Sequence, residues 1–195
     1  MRKLVYYVGV SLDGYIAGPD GEFDFYPVGD ERQAADYAAW VNARYPETVP
    51  TSIRGHVGLA DIPNLRFDTV IMGHGTYRPA LKLGMTSPYA HLRQYVVSST
   101  LTSSPDPAVT LVRGDPLALI RSLKNDDGQD IWLCGGGRLA GSLLPEIDEL
   151  IIKSYPVAAG SGIAVFDGDF NPTLFTVTGR KVFTNDVTMT WFTRR

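Results

Sequence analysis

Residues 130–145 read Asp130-Ile131-Trp132-Leu133-Cys134-Gly135-Gly136-Gly137-Arg138-Leu139-Ala140-Gly141-Ser142-Leu143-Leu144-Pro145. The short apolar run Ile131–Cys134 has the composition of a buried strand. Gly135, Gly136 and Gly137 follow it, and Arg138–Leu144 then has helix-forming character. Glycines remove the side chains that would keep a ligand from the backbone. A helix start adds unpaired N–H donors and the positive end of the helix dipole. Strand, bare glycines and helix in this order predict an α/β fold with a diphosphate-bearing ligand at the end of the strand.

Working outward, Leu4–Val10 is almost continuously apolar, as expected of a strand buried on both faces. Ser11–Gly21 is turn chemistry around the apolar pair Ile16-Ala17. Asp30 and Gln33 form a variant capping box. Behind it Ala34, Tyr37, Ala38, Val41 and Tyr45 recur at helical spacing until Pro46 stops the helix. Glu47–Arg66 has little periodicity and reads as a long loop or poorly ordered excursion. Further strands are expected at Asp68–Met72, Gln94–Ser99, Ala108–Val112 and Glu149–Tyr155. Helices are expected near Pro79–Leu83 and over Pro116–Lys124, the latter capped by Asp115 with Pro116 in its first turn. Leu174–Thr178 reads as extended. Lys181–Thr193 alternates, as an antiparallel pair does. One mixed sheet with flanking helices, in a single domain over 1–195, accounts for this order.

Composition bounds the possibilities. The 195 residues are 44% hydrophobic and 20% charged, with a net charge of −3. No basic field is present to hold nucleic acid or an anionic membrane. The single cysteine excludes a disulfide framework and suits a reducing cytoplasm. His56, His74 and His91 are too scattered for metal-ligand spacing. Met1-Arg-Lys and its apolar run superficially resemble a signal peptide, but Asp13 interrupts the run early. No stretch approaches the roughly 18 apolar residues of a membrane span.

A pattern appears when the expected strand ends are aligned. Asp68–Met72 leads into Gly73-His74-Gly75-Thr76, and the next strand into Ser98, Ser99 and Thr100. Ala108–Val112 leads into Arg113, and Ile131–Cys134 into Gly135–Gly137 and Arg138. Ligands of open α/β sheets bind beyond the carboxyl ends of the strands. Hydroxyls, backbone N–H groups and arginines are what a phosphorylated nucleotide requires there. Each segment alone reads as an ordinary turn, loop start or solvated charge; their repetition at one sheet edge favours a site.

Several sharper readings find less support. Gly135-x-Gly137-x-x-Ala140 matches a dinucleotide fingerprint, but the strand after it ends in Lys153-Ser154-Tyr155-Pro156, with no acid for the ribose. There is no GK[ST] P-loop. Cys134 has no neighbouring histidine and reads as a small pocket-lining hydrophobe. Among the acids near the first strand and helix, Asp13 and Asp36 are weak catalytic candidates. Asp13 is otherwise a turn former beside Gly14, and Asp36 is out of phase with the apolar stripe.

The segments SLDGYIA, VIMGHGTY, YVVSS and WLCGGGRLAGSLLP resemble, in order and spacing, the dihydrofolate reductase superfamily. They are most similar to its branch containing the reductase domain of riboflavin biosynthesis, over nearly the whole chain. The resemblance implies a three-layer α/β/α fold with a mixed, mostly parallel central sheet and an antiparallel C-terminal hairpin. It implies NADPH-dependent hydride transfer to a small pterin- or aminopyrimidine-type substrate, and it is compatible with a homodimer. Carried across, Val10, Ile16 and Ala17 would border the nicotinamide. Gly73, His74, Thr76, Ser98, Ser99 and Arg113 would hold the 2′-phosphate and pyrophosphate. Cys134 and Gly135, Gly136, Gly137, Arg138 and Leu139 would line the diphosphate, with a cis peptide at Gly135-Gly136. The chain departs from the family in having His74 in place of an arginine and Tyr15 in place of a basic residue. The folate enzymes carry a carboxylate on the first helix, and Asp30, Glu31 and Asp36 all remain open as its counterpart. The substrate pocket is expected between Ser11–Gly18, the first helix and Glu47–Arg66. The H-x-E…P-C-x-x-C signature of a zinc deaminase has no counterpart in the sequence. The alternatives are a non-catalytic NADP-binding protein and a Rossmann dehydrogenase, which would prefer NADH.

Overall fold

The computed structural model describes all residues, 1–195. In chain order the elements are β1 (Leu4–Val10), β2 (Tyr15–Ala17), α1 (Glu31–Arg44), α2 (Thr51–Arg54), β3 (Phe67–Gly73), α3 (His74–Lys82), β4 (Arg93–Val97) and β5 (Val109–Val112). There follow α4 (Pro116–Asn125), β6 (Asp130–Gly135), α5 (Gly137–Leu143), β7 (Glu149–Ser154), β8 (Ile163–Ala164), β9 (Phe175–Val182) and β10 (Thr188–Arg194). No helix is long and apolar enough to cross a membrane.

Eight strands form one sheet in the order β5-β4-β3-β6-β1-β7-β10-β9. The six from β5 to β7 pair in parallel, and β10 runs antiparallel to both of its neighbours. Alternation along β1 explains the layers. Leu4, Tyr6, Val8 and Val10 face one side with Ile71, Leu133 and the inner residues of α4 and α5. Val5 and Tyr7 face the other with Phe67, Trp132, Ile151 and Met189, covered by α1 and α3. Burying this much apolar surface on both faces is what a central, mostly parallel sheet requires. Trp132, opposite Val5, and Ile151, opposite Tyr7, continue the same face across neighbouring strands.

Local signals are realised closely at the caps. Asp30 accepts from Gln33 N at 2.8 Å while Gln33 Oε1 accepts from Asp30 N at 2.9 Å. Asp115 accepts from Leu117 N at 2.8 Å.

Four expectations are corrected. The helix expected near Pro79–Leu83 begins at His74, directly after the strand: extended Gly73 is its N-cap, and Pro79 lies inside it rather than at its start. Ile16-Ala17 belongs to a strand, β2, which pairs with β8. The C-terminal pair is β9 with β10, joined by a turn at Asp186 (φ 61°). Glu47–Arg66 is an ordered segment containing a 3-10 turn and α2. Buried Glu47 orders it by accepting the N–H groups of Leu65, Arg66 and Phe67 at 3.2, 3.0 and 3.0 Å. Arg54 adds a bond to the Pro46 carbonyl at 2.6 Å. These anchors place the segment at the amino ends of the strands, where Asp130 N bonds to Arg66 O. It therefore lies across the sheet from the expected substrate entrance and does not line it.

Candidate functional site

The two edges of the parallel sheet differ in how their charges are used. At the amino edge Arg2 pairs with Asp68, Arg66 with Asp130 and Glu149, and Arg93 with Asp68 and Asp126. At the carboxyl edge Arg138 meets Asp167, but Arg113 and His74 face neutral partners. Arg113 donates through Nε and one Nη to the Leu101 carbonyl at 3.0 and 2.7 Å, leaving its other Nη free of protein. The His74 Nδ1 lies 3.2 Å from Thr100 Oγ1. Thr100 Oγ1 in turn lies 3.3 Å from Ser98 Oγ, which accepts the N–H groups of Thr100 and Leu101. Ser98 is buried and Ser99 is exposed. Residues 98–101 thus tie the ends of β3, β4 and β5 into one hydroxyl- and cation-bearing surface. Thr100, which the strand-end pattern exposed but did not assign, is its hub.

The next surface is built from the ends of β3 and β6. A Cβ placed on Gly73 would lie 3.6 Å from Gly136 N and 3.9 Å from Leu139 Cβ. At Gly135 (φ 140°) and Gly136 an added Cβ would meet only Thr76 Oγ1, at 3.3 and 3.4 Å, and Ile16 Cδ1 at 3.7 Å. Gly73, Thr76, Gly135, Gly136 and Ile16 are therefore brought together around an opening. The Gly135-Gly136 peptide is cis. Gly137 is different: the Ala164 carbonyl fills the place of its side chain, and Asp167 N donates to Gly137 O at 3.0 Å. Arg138 is exposed and lies 3.4 Å from Asp167. Val10 and Leu139 are buried in the core, so any contact with a ligand there falls to backbone. Ala17 presents its carbonyl to Gly162 within the β2–β8 ribbon.

The acid candidates lie apart from one another. Asp13 accepts from Ser11 Oγ at 2.6 Å and from Ala159 N and Gly160 N at 2.9 and 2.6 Å. Those bonds, led by Ser11, hold its carboxyl down to about 2. It clasps the loop after β1 to the loop after β7. Asp36 is exposed on α1, 4.0 Å from Arg32. Burial pushes the Cys134 thiol up to about 12, so it is a neutral wall of the sheet face under α1. Lys153 escaped the sequence reading because it lies inside an apolar strand pattern. It projects from β7 onto that same face, its Nζ 4.5 Å from the centre of the Tyr7 ring. No group of three or more histidine, cysteine or acidic side chains is arranged to hold a metal.

Comparison with known proteins agrees with this architecture. The family model described as "RibD C-terminal domain" matches residues 2–189. The uncharacterised protein YwjB of Bacillus subtilis (strain 168) is 34% identical over 184 residues, covering 93% of this chain and 92% of YwjB. The uncharacterised YyaP of the same organism is 24% identical over 177 residues, covering 85% and 80%. Among solved structures, a putative riboflavin biosynthesis protein from Shewanella sp. PV-4 superposes with a TM-score of 0.71 at 26% identity, over 100% of this chain and 99% of that one. Dihydrofolate reductase from Enterococcus faecalis, complexed with NADP(H) and RAB-propyl, gives 0.63 at 13% identity over 99% and 96%. A deaminase and 5-amino-6-(5-phosphoribosylamino)uracil reductase from Thermotoga maritima gives 0.63 at 15%, over 100% of this chain and 57% of that longer one.

Proposed function

The chain belongs to the RibD C-terminal domain family, and on that premise we propose that it is an NADPH-dependent reductase of a small, planar substrate. The observation that carries the reading is the contrast between the sheet edges. Arginines at the amino edge are matched by carboxylates, whereas Arg113 and His74 at the carboxyl edge, with the hydroxyls around them, have none. A cationic, hydroxyl-rich strand edge without a ribose-binding acid suits a 2′-phosphate.

The residues fit the cofactor. The free Nη of Arg113, with His74, Ser98, Ser99 and Thr100, would hold the 2′-phosphate. Thr76 and the open cradle at Gly135 and Gly136 would receive the diphosphate, with Arg138 alongside. Val10, Ile16 and Ala17 would border the nicotinamide. When bound, NADPH supplies the hydride. The protein's own part is positioning. The Asp13 clasp holds the loop after β1 against Ala159–Gly160, so that Ile16 stays beside Gly136. The β2–β8 ribbon packs on α5, with the Ala164 carbonyl against Gly137 and the Asp167 carbonyl against Gly141. Neither Asp13, whose carboxylate is fully engaged, nor exposed Asp36 is well placed as proton donor; water is the simplest source.

We also propose a homodimer, supported by the exposed Val177 and Val182 of the edge strand β9 and Leu174 just before it, and a reducing compartment, which the lone Cys134 suits. Turnover tests the reading. NADPH oxidation is followed with dihydrofolate, with a ribosylaminouracil phosphate and with a panel of planar carbonyl compounds. Oxidation by any of them supports a reductase. Tight NADPH binding with no oxidation favours the non-catalytic NADP-binding alternative.

A further inference from the structure

The ammonium of Lys153 is a cation without a counter-ion. Lys153 stands opposite Gly9 of β1 and Met189 of β10, one residue from the end of β7. It is half-buried, and its Nζ rests over the Tyr7 ring without an ion pair or a hydrogen bond. Charged side chains inside proteins are normally paired, because desolvation is costly.

The groups around it carry no negative charge near neutral pH. Cys134 of β6 is held as the thiol, and burial also raises Tyr7, Tyr26, Tyr37, Tyr89 and Tyr155. From α1 the side chains turned to the sheet are Tyr37, Trp40 and Val41, while Asp36 and Glu31 are exposed. The side chains beside the lysine are flat, and Tyr26, Tyr37 and Cys134 are, like Lys153, only part-buried: Tyr26 packs on Tyr155 at 4.5 Å between ring centres, and the Tyr37 and Tyr155 hydroxyls lie 3.2 Å apart. A carboxylate on α1 would favour a cationic ring; here a lysine on β7 with no acid opposite favours an anion.

We propose that Lys153 anchors the substrate, and that the cleft between α1 and the sheet takes a planar aromatic or heteroaromatic compound bearing a carboxylate or comparable oxyanion. The ring lies among the tyrosines and the oxyanion accepts from Nζ. The assignment deepens the reductase reading and rests on it for calling the ligand a substrate. The cleft's preference for an anion is independent of the cofactor. Burial lowers the lysine to about 8, so the preference should weaken as the pH rises through that value.

The test compares benzoate with benzamide, which share a shape and differ in charge. Wild-type protein, Lys153→Met and Lys153→Arg are titrated by ligand-observed NMR, and NADPH is titrated separately into the same samples. Wild type is expected to bind benzoate about tenfold more tightly than benzamide, a difference of about 1.4 kcal/mol. The preference is expected to vanish in Lys153→Met, return in Lys153→Arg and decline above pH 8. Equal binding of the two probes by the wild type, or a benzoate preference that survives in Lys153→Met, overturns the proposal. Failure of NADPH to bind overturns the reductase reading alone, and leaves the benzoate comparison standing.

Discussion

The carbonyl of Ala164 occupies the space in which a side chain on Gly137 would stand. The third glycine of the triplet is thus required by the protein's own packing, whereas Gly136 borders an open corner. Gly137→Ala must displace backbone of the β2–β8 ribbon. It is expected to cost roughly 3 kcal/mol or more, read from urea unfolding.

Gly136→Ala separates folding from binding. Its backbone is extended (φ −99°) and the new methyl meets only Thr76 and Ile16 at ordinary contact distance. Stability should change by less than about 1 kcal/mol, while NADPH affinity falls about tenfold or more, as the methyl enters the cradle. Calorimetric titration and melting of the same variant check both halves.

Glu47→Ala should do the reverse. It strips the N–H groups of Leu65, Arg66 and buried Phe67 of their acceptor at the amino edge, and a loss of roughly 2–3 kcal/mol is expected. NADPH affinity should be unchanged, because the segment lies across the sheet from the cradle. A parallel fall in affinity would contradict that placement.

Lys153 and Asp13 give opposite pH signatures. The lysine's folded value, about 8, is below its usual 10.5, so between these values the unfolded chain binds more protons and stability rises with pH. Lys153→Met should be the more stable protein at pH 7 by roughly 1–3 kcal/mol, and the advantage should disappear by about pH 10.5. Asp13 is held at about 2 against a usual 3.8. It therefore stabilises above the higher value and loses that contribution as pH falls through the lower one. Melting curves of Asp13→Asn and wild type should converge over that acid window.

The fold was legible wherever pattern and burial coincide. Leu4–Val10 could be read as a strand buried on both faces, and the Asp30–Gln33 capping box located the start of α1. The β3–α3 junction was less legible, because Gly73 and Gly75 look like turn residues and Pro79 looks like a helix start. Glu47–Arg66 has no periodicity to read: its order comes from one carboxylate meeting three N–H groups far along the chain. The strand-end pattern drew attention to the carboxyl edge. It did not separate Gly137, which the ribbon needs, from Gly135 and Gly136, which face the opening. Lys153 was hidden because a lysine in an apolar run reads as an outward-facing charge, and only the pairing of Ile151 with Tyr7 shows that Lys153, two residues on, shares the Tyr7 face.

The most direct measurement is the affinity of NADPH and of NADH for the wild type and for Arg113→Ala. The free Nη of Arg113 should contribute about 1.5–3 kcal/mol to a phosphate contact. Wild type is expected to prefer NADPH by about tenfold or more, and Arg113→Ala to lose NADPH affinity by about 10- to 100-fold while NADH changes little. Equal affinity of the wild type for both cofactors, or an equal loss of both in the variant, would contradict the assignment of the carboxyl edge to a 2′-phosphate.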